Sequence, residues 1–305
     1  MPTKGMVATT ASTAKHNNRP TPRHSPYSFV EFEAPTNEDL LLWERALVNC
    51  ENPLLPVKKS GKDLYVVGSS GYVGLSTVKS LSKYSQTVNI FAGVRDLYST
   101  KNDALSLPGV SLIEADMENR DLLVENLNGA DCVFIVSPND KNRSYLVSNT
   151  IDACKEVSVG HIVILSIPSV EAAGTVYGNQ FRDIEAYAKQ SGLPFTIVRL
   201  SMFMENILGQ VDSMVSRGEF YSPLPSRGAC HNSASITDIA ECIAMIMVDC
   251  KSYAGQTLNL TGSLYCEADY AEAFSTVVGK TVKHVKVGLS VSMRVPSSTQ
   301  VLQYD

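Results

Sequence analysis

The chain has 305 residues, a formal net charge of −5 and 44% hydrophobic residues. It is long enough for one large α/β domain, or a domain with a smaller lobe, and its composition is that of a globular protein with a sizeable core. The mildly acidic balance gives no general reason to expect nucleic acid or an acidic membrane as partner. The seven cysteines form no C-x-x-C pair and suggest neither a disulfide framework nor a zinc site, so a reducing, cytoplasmic setting fits best. The longest apolar runs, such as CIAMIMV at 242–248, are far too short to span a bilayer.

Residues 1–60 read as an N-terminal extension. Lys4, Lys15, Arg19 and Arg23 precede the first acid, Glu31. That pattern is faintly like an organelle transit peptide, but the prolines and the missing apolar stripe favour a largely disordered tail. One short helix is expected in TNEDLLLWERALVNC, with Thr36 or Asn37 as cap and Glu38 and Asp39 at its positive end.

From Lys62 onward apolar runs alternate with helical patterns. DLYVVG, TVNIFAGV, GVSLIEAD, ADCVFIVS, GHIVILSI and PFTIVRL predict buried strands. In the helix GYVGLSTVKSLSK, Gly74, Val78 and Leu81 share one face. The helix NQFRDIEAYAKQSGLP ends on glycine followed closely by proline. Strands of nearly continuous hydrophobicity between helices predict a doubly wound parallel sheet covered on both faces. That sheet is expected over 61–205, with a smaller α+β lobe over 206–305. The lobe is built from helices in MENILGQVDSMVSRG, TDIAECIAMIMVD and ADYAEAFSTVVG and strands in TLNLTG and TVKHVKV, with Thr237 or Asp238 capping the middle helix.

The main chemical signal is VVGSSGYVG. Gly68, Gly71 and Gly74 follow the first strand of the series and open its first helix. Glycine permits the tight turn, close approach to a pyrophosphate and tight helix–strand packing, and the phosphates meet the N–H groups of the helix N-terminus. Gly68, Ser69, Ser70, Gly71, Tyr72, Val73 and Gly74 are therefore candidate dinucleotide ligands. At the end of the next strand stands Arg95, where an NAD binder carries an acid. A guanidinium matches a 2′-phosphate, so NADP(H) is favoured over NAD(H), against a solvated Arg95 paired with Asp96. Asp116 ends the third strand, within reach of an adenine amino group or as a cap for the segment near Glu118. Ser137, Pro138 and Ser166 end later strands on the ligand-facing edge.

These residues, with VRD at 94–96, EAD at 114–116, SGLPFTIVRLSMFMEN at 191–206, SITDIAE at 235–241 and LNLTG at 258–262, resemble the NmrA-like branch of the atypical short-chain dehydrogenase/reductases over Lys62 to about Val287. The resemblance implies a Rossmann-type fold. It also implies either an NADPH-dependent reductase of quinones, enones or imines, or a non-catalytic NADP(H) sensor acting through a protein partner. By the same resemblance Gly68 to Val73 hold the pyrophosphate, Arg95 the 2′-phosphate and Asp116 the adenine, while Phe203 and Asn206 border the substrate cleft.

Two departures stand out. Phe181 occupies the place of the active-site lysine in the Tyr-x-x-x-Lys pattern that begins at Tyr177, and a phenyl ring neither assists a tyrosine nor binds a ribose. Helical spacing with Ile184 and Ala188 assigns Phe181 to packing, and Arg182 projects about 140° away from Tyr177. The other departure is the ending, which stops where the family continues with further helix. Weak catalytic candidates remain in Tyr177, Gln180 and Ser166. The five histidines show no metal spacing, and only His231 in ACHNSAS merits attention. The expectation is a small hydrophobic or conjugated substrate, or a protein partner for a sensor, with the reductase favoured because the Met-rich LSMFMENIL suits such a ligand.

Overall fold

The computed structural model describes Val7–Thr10, Ser28–Phe29, 61–172 and 175–288. The strands in chain order are β1 (Val7–Thr10), β2 (Ser28–Phe29), β3 (Lys62–Val67), β4 (Val88–Val94), β5 (Val110–Glu114), β6 (Cys132–Ile135), β7 (Ile162–Ser166) and β8 (Phe195–Leu200). There follow β9 (Met202–Phe203), β10 (Glu219–Ser222), β11 (Cys230–Ala234), β12 (Gln256–Thr261), β13 (Leu264–Cys266) and β14 (Lys283–Lys286).

Seven strands form a parallel sheet in the order β5-β4-β3-β6-β7-β8-β12, as the near-continuous hydrophobic runs require. The central strands are buried almost throughout, with Leu64, Val66, Phe134, Ile135, Ile162 and Ile164 among the fully buried side chains. Order reverses at β3, which pairs with β4 on one side and β6 on the other, so the crevice beyond Val67 lies at the topological switch point. Helices Tyr72–Ser82, Arg120–Asn126, Arg143–Glu156, Val176–Gln190 and Ile236–Val248 belong to the same unit. Val78 and Leu81 are fully buried, as the period of the first helix predicts. Helix Val176–Gln190 starts with Thr175 accepting the Gly178 N–H and stops before Gly192, whose φ of +83° is the left-handed turn that favours glycine.

The units do not follow the expected division near residue 205. Described residues up to Leu200 form one unit together with Thr237–Leu260, and Ser201–Ile236 with the described residues from Thr261 form a second. Helix Ile236–Val248 and strand β12, expected in the smaller lobe, complete the large sheet, because β12 pairs with β8 from Gln256 opposite Thr196 to Leu260 opposite Leu200. The second unit holds the three-stranded sheet β13-β11-β9 and the parallel pair β10-β14. Its small core is Met214, Phe220 and Val282, with Ile207, Tyr270, Phe274 and Val278 against it. The short strands β9, β10, β11 and β13 do not show in the sequence, being too short to carry an alternation.

Two further expectations need correcting. Cys230 and Cys266 sit opposite each other in the antiparallel β11–β13 pair, Cα atoms 4.2 Å apart, and form a disulfide. Counting cysteines misses it because a sequence separation of 36 hides the pairing. In the extension, Val7–Thr10 and Ser28–Phe29 pair antiparallel, and the sheet order places β1 next to β12, where composition predicts no structure. The helix expected after Thr36 lies outside the described residues.

Candidate functional site

The glycine turn leaves β3 at Gly68, whose φ is +87° and whose missing Cβ would stand 3.0 Å from the Val136 carbonyl. The N–H groups of Gly68 and Ser69 both donate to the carbonyl of Gly93, at 3.1 and 2.9 Å. Gly93 is itself needed as glycine, since a Cβ would lie 2.8 Å from that of Ala115, directly after β5. Gly74 abuts the carbonyl of Gly68 and would place a Cβ 2.8 Å from Ser69 Cα. Those glycines answer to the protein's own packing. Gly71 does not: a Cβ there meets only the Gly68 carbonyl, at an ordinary 3.6 Å, and its φ of −80° suits any residue.

Gly71 is also the N-cap of helix Tyr72–Ser82, which has no side-chain cap and no acid in its first turn. Such an end offers N–H groups and the positive pole of the helix, the arrangement that binds phosphate. A nucleotide pyrophosphate fits here, and backbone rather than side chains would hold it. Ser69 is fully buried with its hydroxyl donated to the Val66 carbonyl, and Val73 is buried in the core. Ser70 is exposed beside the turn and Tyr72 is half-buried.

The other cofactor candidates share the carboxyl edge of this sheet. Arg95, directly after β4, is exposed and forms no ion pair among the described residues. The expected surface partner, Asp96, accepts instead from the Tyr98 N–H at 2.9 Å. Asp116 is half-buried after β5 and accepts from the Glu118 N–H at 3.0 Å, while the helix beyond is capped by Asn119. Ser137, two residues beyond β6, is half-buried near Val136 and the glycine turn. Phe203 on β9 and Asn206 in the 3₁₀ segment Met204–Gln210 belong to the second unit, the first half-buried and the second exposed.

The weak catalytic candidates fare differently. Ser166 is fully buried and donates to Glu185 at 2.7 Å. Glu185 also takes two hydrogen bonds from Arg199, at 2.8 and 2.9 Å, within a cluster that includes Glu171 and Lys189. Burial pushes the Glu185 carboxyl up, but the Arg199 and Ser166 hydrogen bonds and the nearby cations outweigh it and hold the group below its ordinary value. The hydrogen bond to Glu185 in turn raises Arg199. Ser166 is thus committed to a structural network. Gln180 donates its amide to the Lys141 carbonyl at 2.8 Å, and Arg182 is tied to the Val170 carbonyl at 3.0 Å and to Asn179 at 2.8 Å.

Tyr177 stays available, 52% exposed at the start of its helix. Its hydroxyl donates to Asn139 Oδ1 at 3.3 Å, two residues beyond Ser137. Phe181 is buried at 4% exposure, the packing role its spacing predicts. Over both rings lies Arg143 from helix Arg143–Glu156, its guanidinium carbon 4.7 Å from the Tyr177 centroid and 5.0 Å from that of Phe181. Arg143 is 5% exposed and donates to Asn139 Oδ1 at 2.9 Å and to the Asp140 carbonyl at 3.3 Å. Burial lowers its pKa, and Tyr177 and Asp140 partly restore it. Gly93, Asn139 and Arg143 are the residues that motif reading misses. Arg143, the first residue of its helix and two residues before YLVSNTIDACKEV, carries no local mark of burial in the sequence.

Among the described residues no group of His, Cys, Asp and Glu is arranged to hold a metal, and no helix is long and apolar enough to cross a membrane.

Comparison with known proteins adds to this geometry. The chain is 29% identical over 224 residues to Prestalk A differentiation protein A of Dictyostelium discoideum, covering 72% of this chain and 71% of that one. It is 27% identical over 228 residues to the NAD(P)H azoreductase of Xenophilus azovorans, covering 74% and 77%. Its fold matches the NADPH complex of the Escherichia coli quinone oxidoreductase QOR2, TM-score 0.68 at 22% identity over 77% of this chain and 84% of that chain. It also matches the negative transcriptional regulator Nmra with bound NAD, TM-score 0.65 at 18% identity over 75% of each chain. At these identities the structural likeness speaks for the fold alone. A family model matches residues 60–302. With its switch-point glycine turn and seven-stranded parallel sheet of Rossmann type, the chain belongs to the NmrA-like family.

Proposed function

We propose that this protein is an NADPH-dependent reductase of a small conjugated acceptor of the quinone, enone or imine type. The observation that carries the reading is Gly71. It is the glycine of the turn that the protein's own packing leaves unexplained, and it caps a helix end with no side-chain or acidic partner. A pyrophosphate approaching that backbone accounts for both facts. Arg95, exposed and without an ion pair among the described residues, suits a 2′-phosphate and hence NADP(H) over NAD(H). The azoreductase and quinone oxidoreductase names among the similar proteins agree with a conjugated hydride acceptor.

Bound NADPH would supply a hydride to the acceptor. Such acceptors need chiefly positioning and a proton, so the Tyr–Lys pair lost at Phe181 is not essential. The second reading is an NADP(H) sensor. It is favoured by the commitment of Ser166 and Gln180 to internal hydrogen bonds and by the regulator among the matching folds. NADPH consumption by the purified full-length protein against a panel of quinones and enones separates the two, with Gly71→Asp as the blank. Turnover abolished by the substitution supports the reductase; NADPH binding without turnover supports the sensor.

A further inference from the structure

We propose that Arg143 takes over the task of the lysine that Phe181 replaces, with Asn139, so that Tyr177 serves as proton donor. The inference rests on the reductase reading. It is drawn from one arrangement: a buried guanidinium lying over the faces of Tyr177 and Phe181, and one amide oxygen that accepts from both Arg143 and the Tyr177 hydroxyl.

Each part has a physical reason. A cation over an aromatic face within about 6 Å of the centroid is attracted by the ring quadrupole, and the attraction grows when the cation is desolvated. Arg143 is 5% exposed, yet its side chain donates to a neutral amide and a backbone carbonyl. No carboxylate forms an ion pair with it among the described residues. Burying this cation costs free energy that the nearby Asp140 charge offsets only in part. The two rings offset a further part, and an anion formed on Tyr177 would complete it. A lysine at 181 would approach the tyrosine from its own helix, one turn along. Arg143 approaches from the neighbouring helix instead, and Phe181 is the flat surface on which it rests. The aromatic ring thus supports the substitute charge.

Placement supports the role. Asn139 lies at the carboxyl edge of the sheet, three residues after Val136, which abuts Gly68 of the nucleotide turn. Tyr177 is the exposed member of the set, so its hydroxyl can turn from Asn139 to a bound acceptor. The step balances as follows. With NADPH bound, the acceptor would gain two electrons and one hydrogen nucleus as hydride, and the Tyr177 O–H bond would break to protonate the reduced acceptor. The phenolate left behind lies against the Arg143 guanidinium until water returns the proton. Arg143 is a positioning residue in this scheme and touches neither substrate nor cofactor.

The test reads the phenol directly as well as through turnover. Tetranitromethane nitrates the ionised phenol, and peptide mass spectrometry compares sites within the full-length protein. Tyr98, 95% exposed, and Tyr145, 64% exposed, serve as internal references. Tyr177 is expected to nitrate several times faster than both despite its lower exposure. Arg143→Met should cut that rate about tenfold, and Arg143→Lys should restore most of it. Tyr177 reacting no faster than the references, with no response to Arg143→Met, overturns the proposal. Should Arg143→Met fail to fold, the wild-type ratio alone decides.

In turnover, Tyr177→Phe should lower kcat about 100-fold with the NADPH Kd unchanged. Arg143→Met should lower kcat more than it alters KM, again with rescue by lysine. Full kcat in Tyr177→Phe overturns the proton-donor role. Wild-type protein that binds NADPH and turns over nothing overturns the reductase reading, while the nitration ratio still decides whether Arg143 activates Tyr177.

Discussion

Gly74 lies so close to the carbonyl of Gly68 that no side chain fits between them, whereas Gly71, three residues earlier in the same turn, has room for one. The two positions therefore separate packing from ligand binding. Gly74→Ala should destabilise the protein by about 2 kcal/mol or more through overpacking against backbone. Gly71→Ala should stay within about 1 kcal/mol of wild type, the cost of alanine at a helix cap, yet weaken NADPH at least tenfold. Thermal unfolding and a nucleotide-fluorescence titration on both variants check this. Loss of stability in Gly71→Ala equal to that in Gly74→Ala would remove the argument for a ligand at this turn.

Arg95→Glu should leave unfolding unchanged, because the side chain is exposed and has no ion-pair partner among the described residues to lose. It should raise the NADPH Kd far more than the NADH Kd, since only the first carries the 2′-phosphate. Titration of both nucleotides decides it. Equal losses would assign Arg95 no part in cofactor choice.

Ser166→Ala should cost about 1 kcal/mol, the net worth of its hydrogen bond to Glu185, and leave turnover intact. Glu185→Ala should cost about 3–5 kcal/mol, because Arg199 would be left buried without its main partner. Denaturant melts beside initial rates test the pair. A Ser166→Ala protein of normal stability and lost activity would return Ser166 to the catalytic candidates.

His161 supplies a pH dependence. It is buried, and burial pulls its pKa down from 6.5 to about 4. Thr196 gives its own proton to the Tyr253 carbonyl, so His161 Nε2 must donate to Thr196 Oγ1, which fixes the neutral ring's tautomer. The unfolded chain binds a proton near pH 6.5 and the folded chain does not until about pH 4. Stability is therefore complete above pH 6.5 and falls as pH drops towards 4, by at most about 3 kcal/mol. Glu185, held below its ordinary value, adds a loss of the same sign at lower pH. His161→Gln keeps a donor for Thr196 and should flatten the slope between 6.5 and 4. An unchanged slope in denaturant titrations across that range would assign the effect elsewhere.

The sheet and its nucleotide turn were legible because both are written locally. Runs such as HIVILS and FTIVRL specify buried parallel strands, and the glycine spacing in VVGSSGYVG specifies a turn into a helix. Phe181 was legible as a packing residue from its period with Ile184 and Ala188. What escaped depends on partners distant in sequence. Gly93 matters through Gly68 and Ala115, Arg143 through rings more than thirty residues on, and Cys230 through Cys266 across a strand pair. Ser166 stands among the weak catalytic candidates because a sequence carries no information about which way a hydroxyl points. The division into units differs from the expected one for the same reason, since nothing local says that β12 returns to β8.

That return has a consequence for the order of synthesis. The chain leaves the sheet at Leu200, spends Ser201–Ile236 in another unit, and only then makes the strand that pairs with β8. While the ribosome is adding those residues, β8 is a hydrophobic edge with unpaired peptide groups, the kind of edge that recruits other chains. A nascent chain stalled between 201 and 255 should therefore be aggregation-prone, and one released past Thr261 should not. Tolerance of long insertions in the 201–236 excursion would then be limited by how long that edge waits.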